Sequence, residues 1–286
     1  MSAVILKGAA VAAAMNADTA ERIAALRDKG VYPTLAVVRL GDRPDDIAYE
    51  KGIIKRCAGV GLELRQLLLP ADCSEERLIA ELKCLNGYSG VHGILLFMPL
   101  PGHISEKAVR AAIAPEKDVD GVTELSAAGV YSGNGVGFAP CTARAVIEIL
   151  KYYGIPMGGK RAVVFGRSLV IGKPVSMLLM AENATVTVCH SRSENADAIA
   201  RDADILVAAL GRAKALGGDY FRGGQTLIDV GINFDENGKM CGDIDFDAAE
   251  GIVSAITPVP GGVGAVTTAV LVRHYVEAAK KISDKI

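Results

Sequence analysis

The stretch KRAVVFGRSLVIGKP, Lys160 to Pro174, brings a guanidinium and a hydroxyl together on a glycine turn, Gly166–Arg167–Ser168, with Gly172 and Pro174 close behind. That set suits an anion. A short apolar run, Ala162–Val163–Val164–Phe165, reads as a buried parallel strand that must turn at Gly166. Pro174 then opens an apolar-periodic helix. Strand, glycine turn and helix N-terminus present backbone N–H groups to a phosphate. The spacing Gly166 to Gly172 is not the usual dinucleotide fingerprint, and an ordinary βα turn would read the same way.

A second polar set follows the next strand, at His190–Ser191–Arg192–Ser193. Sites for NAD place an acid about 20 residues beyond the glycines, on the ribose 2′-hydroxyl. Here Ser191 and Arg192 stand instead, with Arg167 available from the first turn. Charge logic therefore favours a 2′-phosphate, and NADP over NAD. A solvated Ser/Arg loop is the bland alternative. Downstream, a strand over 204–208 runs into a small-residue turn at Gly211, at the sheet edge where open α/β sheets bind ligands.

These residues need two alternating series to carry them. The first reads strand at 4–6, helix 9–29, strand 35–40, helix 47–58, strand 62–68, helix 75–85, strand 93–97 and helix 105–112. The pattern breaks between Asp118 and Pro140, at a charged turn and a glycine-rich stretch. After a helix over 142–153 come strands at 162–165, 185–189, 204–208, 226–230 and 252–254, a hairpin-type turn at 235–238, and a last helix over 266–281. The fold class expected is two α/β domains with parallel-sheet cores, the C-terminal one Rossmann-like.

Composition excludes several classes. The chain has 286 residues, half of them hydrophobic, and a net charge of −2. Acids and bases are mixed, so no basic nucleic-acid surface is expected. The cysteines Cys57, Cys73, Cys84, Cys141, Cys189 and Cys241 form no CxxC pair and no zinc-ligand spacing, which leaves buried reduced thiols and no metal site. The N-terminal apolar run continues into Asp18, Glu21 and Arg22 as an amphipathic helix rather than a leader. No stretch is apolar enough to span a bilayer, so a cytoplasmic protein is expected.

Six ordered segments carry a wider resemblance: Asp118–Val119–Asp120–Gly121, Pro140–Cys141–Thr142, the Gly166–Arg167–Ser168 turn, Cys189–His190–Ser191–Arg192, Ile228 to Asn233, and Thr257 to Gly264. With these the chain resembles the bifunctional methylenetetrahydrofolate dehydrogenase/cyclohydrolase family over essentially its whole length. The resemblance implies a homodimer acting on tetrahydrofolate one-carbon derivatives. It implies a folate-binding catalytic domain over 1–138 plus 266–286, an NADP-binding domain over 139–265, and an active site in the cleft between them. NADP would meet Gly166, Arg167, Ser168, Gly172, Ser191, Arg192, Gly211 and Ile232. Tyr49 and Asp120 would be the catalytic residues, Asp120 accepting paired hydrogen bonds from the pterin edge and Tyr49 stacking on the ligand. Ile53, Leu96, Phe97, Met98 and the Pro260–Gly261–Gly262–Val263–Gly264 loop would complete the substrate site.

Two positions depart from the family together. The family's helix reads tyrosine and then, four residues on, the lysine that serves the cyclohydrolase step; here the helix reads Tyr49–Glu50–Lys51–Gly52–Ile53. Gly61 follows at the family's spacing and fixes the register. Lys51 and Lys55 lie roughly 200° and 240° around the helix from Tyr49. The family's glutamine, two residues before Pro-Leu-Pro, is Phe97. Ala143 and Ala265 also replace family prolines. The expectation is a dehydrogenase whose cyclohydrolase step is weak or absent. Alternatives are a fully bifunctional enzyme in which Lys55 or His103 activates water, an NADP-dependent dehydrogenase for another small substrate, and a non-catalytic folate- or nucleotide-binding protein.

Overall fold

The computed structural model describes residues 2–284. Its elements, in chain order, are β1 (Val4–Ile5), α1 (Gly8–Arg27), β2 (Thr34–Leu40), α2 (Pro44–Gly59), β3 (Glu63–Leu69), α3 (Glu75–Gly87), β4 (Gly93–Leu96), α4 (Glu106–Ala111), α5 (Glu124–Ser132) and α6 (Cys141–Tyr152). There follow β5 (Arg161–Phe165), α7 (Gly172–Ala181), β6 (Thr185–Cys189), α8 (Ala196–Asp202), β7 (Ile205–Ala208), β8 (Thr226–Asp229), β9 (Asn233–Phe234), β10 (Met240–Cys241), α9 (Phe246–Glu250), β11 (Ala255–Ile256) and α10 (Gly264–Ser283). Among the described residues no helix is long and apolar enough to cross a membrane.

The chain divides into two compact α/β units, one holding the residues up to Ala13 with Pro140–Thr267, the other holding Ala14–Ala139 with the residues from Thr268 on. This differs from the expected split of 1–138 with 266–286. β1 pairs in parallel with β11, and the Gly8 N–H donates to the Gly261 carbonyl at 2.8 Å, so the N-terminal residues join the nucleotide-type unit.

In that unit a six-stranded sheet has the order β1-β11-β8-β7-β5-β6, parallel throughout. β7 and β8 are buried at every residue, as central strands covered on both faces are; ILVA is apolar throughout, while TLID buries Thr226 and Asp229 beside its apolar pair. β6 is an edge strand and exposes Thr185, Thr187 and Val188. From β5 the chain passes to β6 on one side and then to β7 on the other. That reversal leaves a crevice outside the carboxyl ends of β5 and β7, where open α/β sheets bind ligands.

The other unit has a three-stranded parallel sheet, β3-β2-β4. Leu78, Leu82 and Leu85 on α3 share one helix face and bury against the sheet's Ala36, Val38, Ile94 and Leu96. Each fully buried leucine contributes about 2 kcal/mol of transfer free energy. Ser74 caps α3, its hydroxyl accepting from the Arg77 N–H at 3.2 Å. Tyr275 of α10 is wholly buried in this unit, its hydroxyl 3.5 Å from the Glu63 carbonyl.

Two expected elements moved. The strand placed at 252–254 is β11, Ala255–Ile256, because the N–H groups of Ile252 and Val253 turn back to the Ala249 carbonyl at the end of α9. The stretch read as a break holds α5, capped by Thr123, whose hydroxyl accepts from the Ser126 N–H at 3.1 Å.

Candidate active site

Gly166 ends β5 with φ 119°, a conformation open to glycine. A Cβ there would fall 2.2 Å from the Ala209 carbonyl oxygen, and a Cβ at Gly172 would fall 2.2 Å from the Gly166 carbonyl oxygen. The turn is therefore clamped between the end of β7 and the start of α7. Ser168 Oγ accepts from the N–H groups of Ile171 (3.1 Å) and Gly172 (3.4 Å), so it organises the first turn of α7. A cleft of about 500 Å³ opens in front of this turn. Gly166, Arg167, Ser168 and Ser191 line it together. Arg192, Gly172, Gly211 and Ile232 are not among its lining residues. Gly172 stands behind the turn. Arg192 is exposed and donates its backbone N–H to His190 Nδ1 at 3.2 Å. Gly211 lies between two residues of the wall, and Ile232 is exposed on the segment after β8.

Leu210, Arg212 and Tyr220 line the same cleft and were not expected there, while His190 and Ser193, part of the polar set after β6 but not named as cofactor contacts, line it as well. Arg212 directly follows Gly211, and its charge was a usable signal. Tyr220 had none: it arrives from the connection between β7 and β8 and stacks edge-on against Phe165, ring centroids 5.8 Å apart. The cleft carries the guanidinium residues Arg167 and Arg212 and, among the described residues, no carboxylate. Its donors and its sign suit a polyanionic ligand bearing an extra phosphate.

In the other unit α2 and the end of β4 bring Tyr49 and Phe97 together, ring centroids 5.5 Å apart and tilted by 44°. Ile53 is wholly buried, Phe97 nearly so, and Tyr49 half exposed. Leu96 belongs to the hydrophobic core and Met98 packs on its margin. Arg43 Nη2 donates to the Met98 carbonyl at 3.2 Å and holds the loop after Phe97 near α2. The inner face of α2 is fixed by a buried ion pair, Glu50 Oε2 with Arg39 Nε at 3.0 Å, and Gln66 Nε2 donates to Glu50 Oε1 at 2.8 Å. Lys51 and Lys55 are exposed. His103 Nε2 lies 2.9 Å from the Cys73 carbonyl.

The two acids of Asp118–Val119–Asp120–Gly121 have different surroundings. Asp118 is buried and accepts from the N–H groups of Val122 (3.0 Å) and Thr123 (2.8 Å) and from Ser126 Oγ (2.6 Å). Next to it Lys117 is buried, donating to the carbonyls of Leu85 (2.9 Å) and Tyr88 (2.8 Å), and burial lowers its pKa. His274 Nδ1 lies 2.9 Å from the Val119 carbonyl. This knot leaves Asp120 as the partly exposed acid of the motif. The Pro260–Gly264 loop belongs to the nucleotide-type unit; Gly262 and Val263 are buried there, while Pro260, Gly261 and Gly264 are exposed.

A family model described as tetrahydrofolate dehydrogenase/cyclohydrolase, NAD(P)-binding domain, matches residues 140–283, and the catalytic-domain model of the same family matches residues 6–120. The chain belongs to the tetrahydrofolate dehydrogenase/cyclohydrolase family. The phosphate-type cleft lies in the family's NAD(P)-binding domain, and Tyr49, Ile53, Phe97 and Asp120 lie in its catalytic domain. Among relatives, the bifunctional protein FolD of Carboxydothermus hydrogenoformans is 51% identical over 283 residues, covering 98% of this chain and 99% of its own. That of Clostridioides difficile is 46% identical over 281 residues, with 98% of each chain covered. The crystal structure of the bifunctional family enzyme FolD from Campylobacter jejuni superposes with a TM-score of 0.94 at 36% identity, over 98% of this chain and 99% of that one. The Trypanosoma brucei family enzyme, solved with NADP cofactor and an inhibitor, superposes with a TM-score of 0.90 at 36% identity over 100% of both chains.

Proposed function

We propose that this family member oxidises 5,10-methylenetetrahydrofolate to 5,10-methenyltetrahydrofolate with NADP, and that its hydrolysis of the methenyl product is weak or absent. One observation carries the reading. Where the family resemblance implies a lysine and its glutamine partner, the chain has the wholly buried Ile53 and the nearly buried Phe97, whose ring packs on that of Tyr49.

Gly166, Arg167, Ser168 and Ser191 would hold NADP, and Arg167 and Ser191 suit its 2′-phosphate. NADP, when bound, supplies the hydride acceptor. Asp120 orients the folate by accepting from its amino-pyrimidine edge, and the Tyr49 ring supports the ligand's flat face. The folate nitrogens stabilise the developing cation with their own lone pairs. The protein's task is placement, and no side chain need take a proton.

Hydrolysis asks for more. Water must lose a proton and a folate nitrogen must gain one, which calls for a tunable group in reach. Ile53 and Phe97 exclude water and titrate nowhere. Lys55 faces solvent, and His103 is held at the Cys73 carbonyl. The name of the relatives, bifunctional protein FolD, favours a second reading in which another group activates water. Assaying NADP reduction and methenyl hydrolysis separately on the purified protein separates the two readings. The same resemblance supports a cytoplasmic homodimer, which light scattering in solution tests for mass.

A further inference from the structure

Asp243 is wholly buried on the segment between β10 and α9. Its carboxylate serves one stretch of backbone. Oδ2 accepts from the N–H groups of Leu210 (2.5 Å) and Gly211 (3.1 Å), and Oδ1 accepts from the N–H of Arg212 (2.9 Å). Asn233 Nδ2 also donates to Oδ1, at 2.9 Å. Residues 209–212 run off β7 outside any helix or strand, so these N–H groups have no ladder partner of their own. Leu210 and Arg212 are wall residues of the cleft.

A second carboxylate lies beneath the first. Asp229, at the end of β8, accepts from the N–H groups of Asp243 (3.0 Å), Ile244 (2.8 Å) and Gly231 (2.9 Å). The backbone is packed directly onto both acids: a Cβ at Gly231 would fall 2.4 Å from Asp243 Oδ1, and one at Gly242 would fall 1.9 Å from Asp229 Oδ2. A continuous set of hydrogen bonds thus runs from the central sheet to the wall of the cleft.

We propose that Asp243 is a positioning residue for nucleotide binding, its carboxylate fixing the backbone of Leu210–Arg212 and with it one wall of the cleft. The inference rests on the reading of that cleft as the NADP site. Substituting Asp243→Asn keeps the shape but turns one acceptor atom into an N–H₂ group facing backbone N–H donors. Charge-assisted bonds of this kind are about twice as strong as neutral ones, so NADP affinity should fall about tenfold or more. The KM for methylenetetrahydrofolate and kcat at saturating NADP should stay within about threefold, because nothing at Tyr49 or Asp120 changes. A purely structural role would instead lower the yield of active protein and leave the NADP affinity of the folded fraction alone.

The test is titration of NADP into the unsubstituted and Asp243→Asn proteins, followed by steady-state kinetics. A selective loss of NADP affinity supports the inference, and unchanged affinity overturns it. If the variant does not fold, hydrogen exchange on the unsubstituted protein without nucleotide decides: slow amides at Leu210–Arg212 support the inference, and fast ones overturn it. Failure of NADP to bind the unsubstituted protein would overturn the cofactor reading itself.

Discussion

The ring of Phe97 packs against the ring of Tyr49, centroids 5.5 Å apart, one turn of α2 before the wholly buried Ile53. The two positions where the family resemblance implies a lysine and a glutamine thus hold buried apolar side chains. The Tyr49–Phe97 contact brings α2 and the end of β4 together.

Restoring the pair should restore the chemistry. The double substitution Ile53→Lys with Phe97→Gln is expected to raise methenyl hydrolysis at least about 10²-fold, the lower end of what a positioned acid–base group contributes. The dehydrogenase kcat should change little. Burial at position 53 should keep the new amine's pKa below the ordinary lysine value, so the gain should grow with pH across that titration. Spectrophotometric decay of the methenyl compound, followed against pH, is the measurement.

Gly166→Ala should abolish the nucleotide site. The added Cβ meets the Ala209 carbonyl at 2.2 Å in a backbone with φ 119°, and the Ala209 N–H bond to the Phe165 carbonyl at 2.8 Å ties the two strand ends together. A stability loss of about 2 kcal/mol or more is expected in urea unfolding, together with loss of NADP-dependent activity.

Arg167→Ala should change cofactor choice rather than fold, since the side chain is exposed at the cleft. A lost charged hydrogen bond of about 1.5–3 kcal/mol corresponds to a rise in the KM for NADP of about 10- to 100-fold. The KM for NAD, which lacks the 2′-phosphate, should hardly move. Parallel kinetics with both cofactors read the difference.

These assignments were unevenly legible in the chain. The βα turn at Gly166 could be read because strand, glycine and helix are contiguous. The apolar pair could be read because its motif neighbours Tyr49, Gly61 and the Pro-Leu-Pro segment fixed the register. Asp118 could not: nothing local says which acid of Asp-Val-Asp-Gly turns inward. The choice is made by the donors Val122, Thr123 and Ser126, which reach Asp118 only once the chain turns into α5, and by Lys117, held some thirty residues away on the carbonyls of Leu85 and Tyr88. The placement of β1 beside β11 was hidden for the same reason, since a two-residue strand carries no pattern and its partner lies at the other end of the chain. Asp243 was silent because its value lies in three backbone donors more than thirty positions away.

Stability should carry the mark of Asp229. Burial pushes its carboxyl from an ordinary 3.8 up to about 6, against three backbone N–H bonds that pull it down. The folded state therefore holds this proton more tightly than the unfolded chain. The contribution is fully present below about pH 4 and is lost as pH rises through about 6, on the order of 3 kcal/mol. The stability of the unsubstituted protein minus that of Asp229→Asn, measured in urea at each pH, should fall by most of that amount between about pH 3 and about pH 7. A flat difference would contradict the assignment.

The function proposed for this family member is hydride transfer with a hydrolytic step that is weak or absent. Its most direct test follows both half-reactions on one preparation of purified protein. The expected result is steady NADPH formation from methylenetetrahydrofolate, with enzyme-dependent decay of methenyltetrahydrofolate far slower than it or no faster than in buffer alone. Enzyme-dependent hydrolysis at a rate comparable to the NADPH rate would contradict it.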